Sequence, residues 1–261
     1  MTETFNRTGP LMEVTSYPKW AQQLVLDCSE SKRRVVEHEI YKRMRDNTLS
    51  EKTMRIFLIG GWPVVEQFSL YMGHNLGKTR YGRHPGEDMA RRWLIRNIRV
   101  ELNHADYWVN WALAHGVSLE DMNAQAIPAP FQALNDWCWH SCATESLAVS
   151  MAATNYAIEG AVGEWAAVVC SKSIYEESFP QEGRKRAMKW LKMHAQYDDE
   201  HPWEALEIIC TLAGMNPSRE LQTELRKAIC KSYDYKYLFL QNCLEYESAP
   251  VMREQCELAV T

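Results

Sequence analysis

Six side chains in this sequence have the types and spacings that hold iron or manganese: Glu101 and His104, Glu159, and His194, Asp198 and His201. An α-helix turns about 100° per residue, so offsets of three, four and seven residues return side chains to one face. On that spacing Glu101 and His104 share a face, as do His194, Asp198 and His201. Three carboxylates and three imidazoles form the mixed oxygen–nitrogen set suited to a pair of such ions. Glu101-Leu102-Asn103-His104 is the Glu-x-x-His unit that dimetal carboxylate bundles project inward, usually twice. Here the longer His194-x-x-x-Asp198-x-x-His201 stands in place of the second unit, and Glu159 comes from a third segment. A lone Glu-x-x-His most often marks a solvated helix face, so the argument rests on the three sets together. Gly160 and Gly163 after Glu159 allow close approach of a neighbour, for a ligand or for plain packing. Pro202 lacks an N–H for the carbonyl of Asp198, which predicts a distorted helix there.

The segments that must position these groups read as helix. Tyr17 to Asn47 carries helix formers with apolar residues at helical spacing. Thr48 and Glu51 fit a capping box opening a helix to about Gly77, interrupted at Gly60-Gly61-Trp62-Pro63, where proline predicts a kink. After a loop at Arg80 to Gly86, a helix runs from near Pro85 to the stop at Gly116. A short helix starts near Ser118, and Ile127-Pro128-Ala129-Pro130 breaks the chain. Phe131 to Cys170 reads as helix, then a loop at Ser178 to Gly183, then helix from Arg184 to Gly214 and from Ser218 to about Ser248. No stretch alternates long enough to argue for a strand, and no repeat or linker stands out. The expectation is one all-α domain over residues 1–261, a bundle of about seven or eight helices, with residues 1–16 an irregular arm.

Composition narrows the function classes. The 261-residue chain is 46% hydrophobic with a net charge of −5, both signs mixed, and it lacks the basic tract that nucleic-acid binding requires. The polar first residues lack a signal peptide's apolar core, and no apolar run approaches the roughly 20 residues of a membrane span, so a cytoplasmic location is expected. Eight scattered cysteines without a CxxC pair read as buried reduced thiols. Ten Trp and twelve Tyr imply a thick core or an apolar internal cavity.

The order Glu-x-x-His, a lone Glu, then His-x-x-x-Asp-x-x-His resembles the haem-oxygenase-like diiron oxidases, which share an all-α fold with haem oxygenase and the TenA proteins. The stretch from Glu101 to Trp108 is most similar to the branch that forms 1-undecene from lauric acid. The resemblance implies Fe(II), one or two ions, with Glu101, His104 and His194 on the first and Glu159, Asp198 and His201 on the second. It implies O2 as co-substrate, an external reductant, a medium-chain fatty acid with its carboxylate at the iron and its tail in an apolar tunnel, and loss of a β-hydrogen and CO2. Chain-length preference, electron donor and oligomeric state, a homodimer included, stay open. Glu66, on the second helix, is a further candidate oxygen donor, with an ordinary buried or capping glutamate the plainer reading.

Rival readings have their own residues. TenA-type hydrolases use a helix cysteine without metal, and Cys138 and Cys142 lie one helical turn apart, so hydrolysis of a thiamin fragment is the sharpest alternative. A diiron oxidase acting on an amino acid or aromatic substrate would share the ligands and differ in the pocket. A non-enzymatic metal-binding or interaction protein is a third. Trp137 and Trp139 would line the tunnel or pack the core, with core the plainer role. Tyr156 and Tyr197 could donate hydrogen bonds to ligands. His38, His74, His84 and His115 have no partner at ligand spacing.

Overall fold

The computed structural model describes residues 3–124, 127, 129–196 and 200–248, and among these every regular element is helical. After a 3₁₀ turn at Val14–Ser16, the α-helices in chain order are α1 (Lys19–Val36), α2 (Glu39–Arg45), α3 (Glu51–Lys78), α4 (Pro85–Ala114), α5 (Leu119–Ala124), α6 (Ala129–Thr144), α7 (Leu147–Met151), α8 (Ala157–Cys170), α9 (Ile174–Glu177), α10 (Gln181–Ala187), α11 (Lys189–Gln196), α12 (Glu200–Ala213) and α13 (Arg219–Ser248). A π-helical turn, Ala152–Tyr156, joins α7 to α8. Seven helices of fourteen residues or more (α1, α3, α4, α6, α8, α12 and α13) make the expected bundle; the rest are short connecting pieces. No described helix is long and apolar enough to cross a membrane.

The boundaries correct the sequence expectations in instructive places. Tyr17 to Asn47 is two helices, broken at Glu37-His38, because His38 caps α2: its Nδ1 accepts from the Ile40 N–H. The cap of α3 is Ser50, which accepts from Thr53 N–H, and Thr48 instead donates back to the Arg43 carbonyl. α3 runs through Gly60-Gly61-Trp62-Pro63 without a break. A Cβ at Gly60 would come within 2.9 Å of the Phe239 ring, and one at Gly61 within 2.8 Å of the Trp108 ring. Bare glycine lets those rings pack on the helix, and this packing outweighs the roughly 1 kcal/mol propensity cost of each glycine. The segment from Phe131 to Cys170 breaks at Glu145-Ser146, where Ser146 caps α7. The segment from Arg184 to Gly214 breaks at Met188, between α10 and α11; residues 197–199, between α11 and α12, lie outside the described set.

The main core links α3, α4, α6, α8, α11 and α13, with Trp111, Tyr41, Tyr71 and Tyr233 among its largest fully buried side chains. A smaller cluster of Phe5, Tyr17, Ala21, Leu206 and Cys210 docks the N-terminal arm, irregular apart from its 3₁₀ turn, onto α1 and α12. The arm is also tied by Met215 N–H donating to the Glu3 carbonyl.

The His38 cap makes stability pH-dependent. His38 is 5% exposed, and burial, with Lys42 nearby, lowers its pKa from 6.5 to about 4. The folded state therefore stays neutral where the unfolded chain protonates. Stability is full above pH 6.5 and is lost as pH falls from 6.5 through 4, by roughly 2–3 kcal/mol from this residue. His38→Asn keeps a capping acceptor and removes the titration. Urea midpoints at pH 7 and 4.5 should fall less for His38→Asn than for the native chain; equal falls would contradict the assignment.

Candidate metal and substrate site

A cavity of about 670 Å³ lies between α3, α4, α6, α8, α11, α12 and α13, within the range of small-molecule sites. Five of the six ligand candidates line it: Glu101, His104, Glu159, His194 and His201. The sixth, Asp198, lies outside the described residues, as does Tyr197. The remaining wall is largely aromatic and aliphatic, including Phe57, Phe68, Trp108, Phe131 and Phe239. The heavy aromatic content thus builds both a thick core and a cavity wall.

Helix α4 carries Glu101 and His104 on one face, as their spacing requires. Glu101 is 7% exposed, and its Oε2 stands 2.7 Å from His104 Nδ1. His194, on α11, brings its ring to 4.8 Å from that of His104, centroid to centroid. Its Nδ1 is 2.7 Å from the Trp190 carbonyl, which can only accept, so Nδ1 carries the hydrogen and the Nε2 lone pair is left for a ligand. Burial, reinforced by the neighbouring His104, lowers the His194 pKa to about 3, so the ring is neutral at neutral pH and binds a cation without first losing a proton.

Glu159 sits in the first turn of α8, directly after the π-turn. That turn aims the fully buried Asn155, whose Nδ2 donates to Glu159 Oε1 at 3.3 Å. Single π-turns inside α-helices recur at functional sites. A Cβ on Gly160 would stand 3.2 Å from Pro202 Cβ, so this glycine lets α8 and α12 close together. His201 on α12 meets Trp93 edge-on at 6.0 Å. Trp93 and Arg96 both donate to Glu204, clasping α12 to α4 beside the cavity.

The donor set suits iron: carboxylate and neutral imidazole on several helices facing one buried space. Among the described residues, no three His, Cys, Asp or Glu side chains already stand close enough to enclose one ion. Glu101 and His104, and His104 and His194, are already in contact.

Other candidates fall elsewhere. Glu66 is exposed on α3 and does not line the cavity. Neither do Tyr156, Cys138 and Cys142. Both thiols are fully buried, and burial raises the pKa of each, that of Cys142 to about 11, so neither is a ready thiolate. Trp137 is buried in the core and donates to Ser232, and the half-buried Trp139 packs against the core and donates to Gln67. His84 caps α4, and His115 meets the Tyr175 hydroxyl. The sequence reading missed Asn155 and Lys236, a buried lysine of α13 that lines the cavity.

Several known proteins are related to this chain in sequence or structure. A TenA homolog from Pseudomonas syringae pv. tomato is 68% identical and superposes with a TM-score of 0.91, covering 93% of this chain and 100% of that one. A 4-aminobenzoate synthase of Chlamydia pneumoniae is 26% identical over 213 residues, 76% of this chain and 86% of that protein. A domain from Shewanella denitrificans with a haem-oxygenase-like fold, 12% identical, shares the fold at a TM-score of 0.67, covering 87% of this chain and 93% of that one. The family model described as iron-containing redox enzyme matches residues 55–237. Spanning most of the sequence, that match makes the chain a member of the iron-containing redox enzyme family, built on the haem-oxygenase/TenA-like all-α fold.

Proposed function

We propose that this protein is an O2-dependent non-haem iron decarboxylase that converts medium-chain fatty acids such as lauric acid to terminal alkenes such as 1-undecene. The observation that carries this reading is a single cavity combining carboxylate and imidazole donors with a long apolar wall. Glu101, His104 and His194 would hold one iron, with Glu159, His201 and Asp198 holding a second. Iron with O2 supplies the oxidising power to break an unactivated C–H bond, which side chains lack. The chain's own residues do the rest. Aromatic and aliphatic walls exclude water and align the tail, each buried CH2 contributing roughly 0.8 kcal/mol. That increment gives coarse chain-length selection, and fixing the carboxylate sets the position of the β-carbon. Overall the carboxylate loses CO2, the β-hydrogen as a proton, and two electrons; an external reductant supplies the other two electrons that reduction of O2 to two waters needs.

Two other readings have support. The likeness to a 4-aminobenzoate synthase favours an oxidase of the same ligand set acting on an aromatic or amino-acid substrate. The 68% identity to a TenA homolog favours a metal-free hydrolase of thiamin fragments at least as strongly by descent. Against the hydrolase stands the absence of any cysteine among the described residues that line the cavity. Cys142→Ala is accordingly expected to leave turnover within about twofold of native; complete loss with normal iron content would revive a thiol nucleophile. The separating experiment loads purified protein with Fe(II), then supplies laurate, reductant and O2 and samples the headspace. Accumulation of 1-undecene dependent on all three additions is expected. Turnover of an aromatic or amino-acid substrate without alkene would favour the second reading, and iron-free hydrolysis of an aminopyrimidine the third.

A further inference from the structure

Lys236 is a charged group that the ligand set does not use. It projects from α13 into the cavity and is 7% exposed. Its Nζ makes one long hydrogen bond, 3.4 Å, to the Ile158 carbonyl, and lies 5.9 Å from the centre of the Trp165 ring. No carboxylate among the described residues forms an ion pair with it. An ammonium has three donors, and burying it without a counter-charge is costly. The cost is visible in its acidity: burial lowers the Lys236 pKa to about 7. The Ile158 carbonyl it meets directly precedes Glu159, and Lys236 lines the same cavity as the ligand candidates, so the ammonium sits beside them rather than at a remote wall.

We propose that Lys236 is a substrate-binding residue whose Nζ donates to one carboxylate oxygen of an acid with an apolar tail. The proposal rests on the fatty-acid reading above and adds to it the group that recognises the acid's head. A carboxylate entering the cavity would give the ammonium its missing counter-ion, forming a charge-assisted hydrogen bond away from water. An alcohol or hydrocarbon of equal length would fill the same apolar space and leave the ammonium unpaired. Acids would therefore be selected over neutral lipids before any chemistry occurs.

The test is calorimetric titration of Fe(II)-loaded full-length protein without O2, with laurate below its micelle concentration and with 1-dodecanol. Native protein should bind laurate at least tenfold more tightly than the alcohol. Lys236→Met should weaken laurate at least tenfold and leave the alcohol unchanged, while Lys236→Arg keeps part of the preference. Methionine removes an unpaired buried charge at similar volume, so the variant should melt no lower than native. Equal laurate binding by native protein and Lys236→Met would overturn the inference and leave the fatty-acid reading standing. Native protein that fails to bind laurate would remove both.

Discussion

Replacing His194 with alanine is expected to abolish turnover and most iron binding. Among the candidate donors it is the most fully prepared: neutral at neutral pH, with Nδ1 committed to the Trp190 carbonyl and Nε2 left for the metal. Loss of groups that merely orient metal ligands costs about 10–100-fold in affinity, and loss of a ligand should cost no less. Iron content by mass spectrometry, with thermal unfolding as a folding control, checks this. Retained turnover in a folded, iron-loaded variant would disprove the ligand role.

Trp190→Ala is expected to have the largest effect on stability. The indole is buried at the junction of four rings: Trp108 at 5.0 Å, Trp165 at 5.3 Å, Trp111 at 5.6 Å and His194 at 4.1 Å between centroids. Truncating such a ring leaves a large void and costs about 3–5 kcal/mol, which for a chain of this size lowers the melting temperature by on the order of 10 °C. Iron binding should weaken as well, because the His194 ring loses the surface it packs on. Trp190→Phe should be far milder, since Trp190 Nε1 has no hydrogen-bond partner among the described residues. Alanine and phenylalanine variants of equal stability would show that the aromatic cluster does not support the site.

The placement of the candidate residues was legible from sequence wherever it depends on local geometry. Glu101 and His104 share a face because helical geometry alone puts them there, and five of the six ligand candidates meet in one cavity. Tertiary information was not legible. Gly60-Gly61-Trp62-Pro63 read as a helix interruption because proline lacks an N–H, yet α3 continues through it, and the rings of Phe239 and Trp108 need the bare glycine positions. Lys236 reads as one more lysine of an amphipathic helix until packing buries it. The π-turn before Glu159 leaves no trace in periodicity, and the break at His38 was missed because histidine is an uncommon capping residue. His194 on α11 and His201 on α12 line the same cavity, on either side of residues 197–199, which lie outside the described residues.

The most direct test of the central claim is anomalous scattering at the iron edge from crystals of the Fe(II)-loaded protein. The account predicts one or two peaks inside the cavity, within bonding distance of Glu101, His104 and His194 and, for a second ion, of Glu159 and His201. An iron-loaded crystal with no peak among these side chains would contradict it.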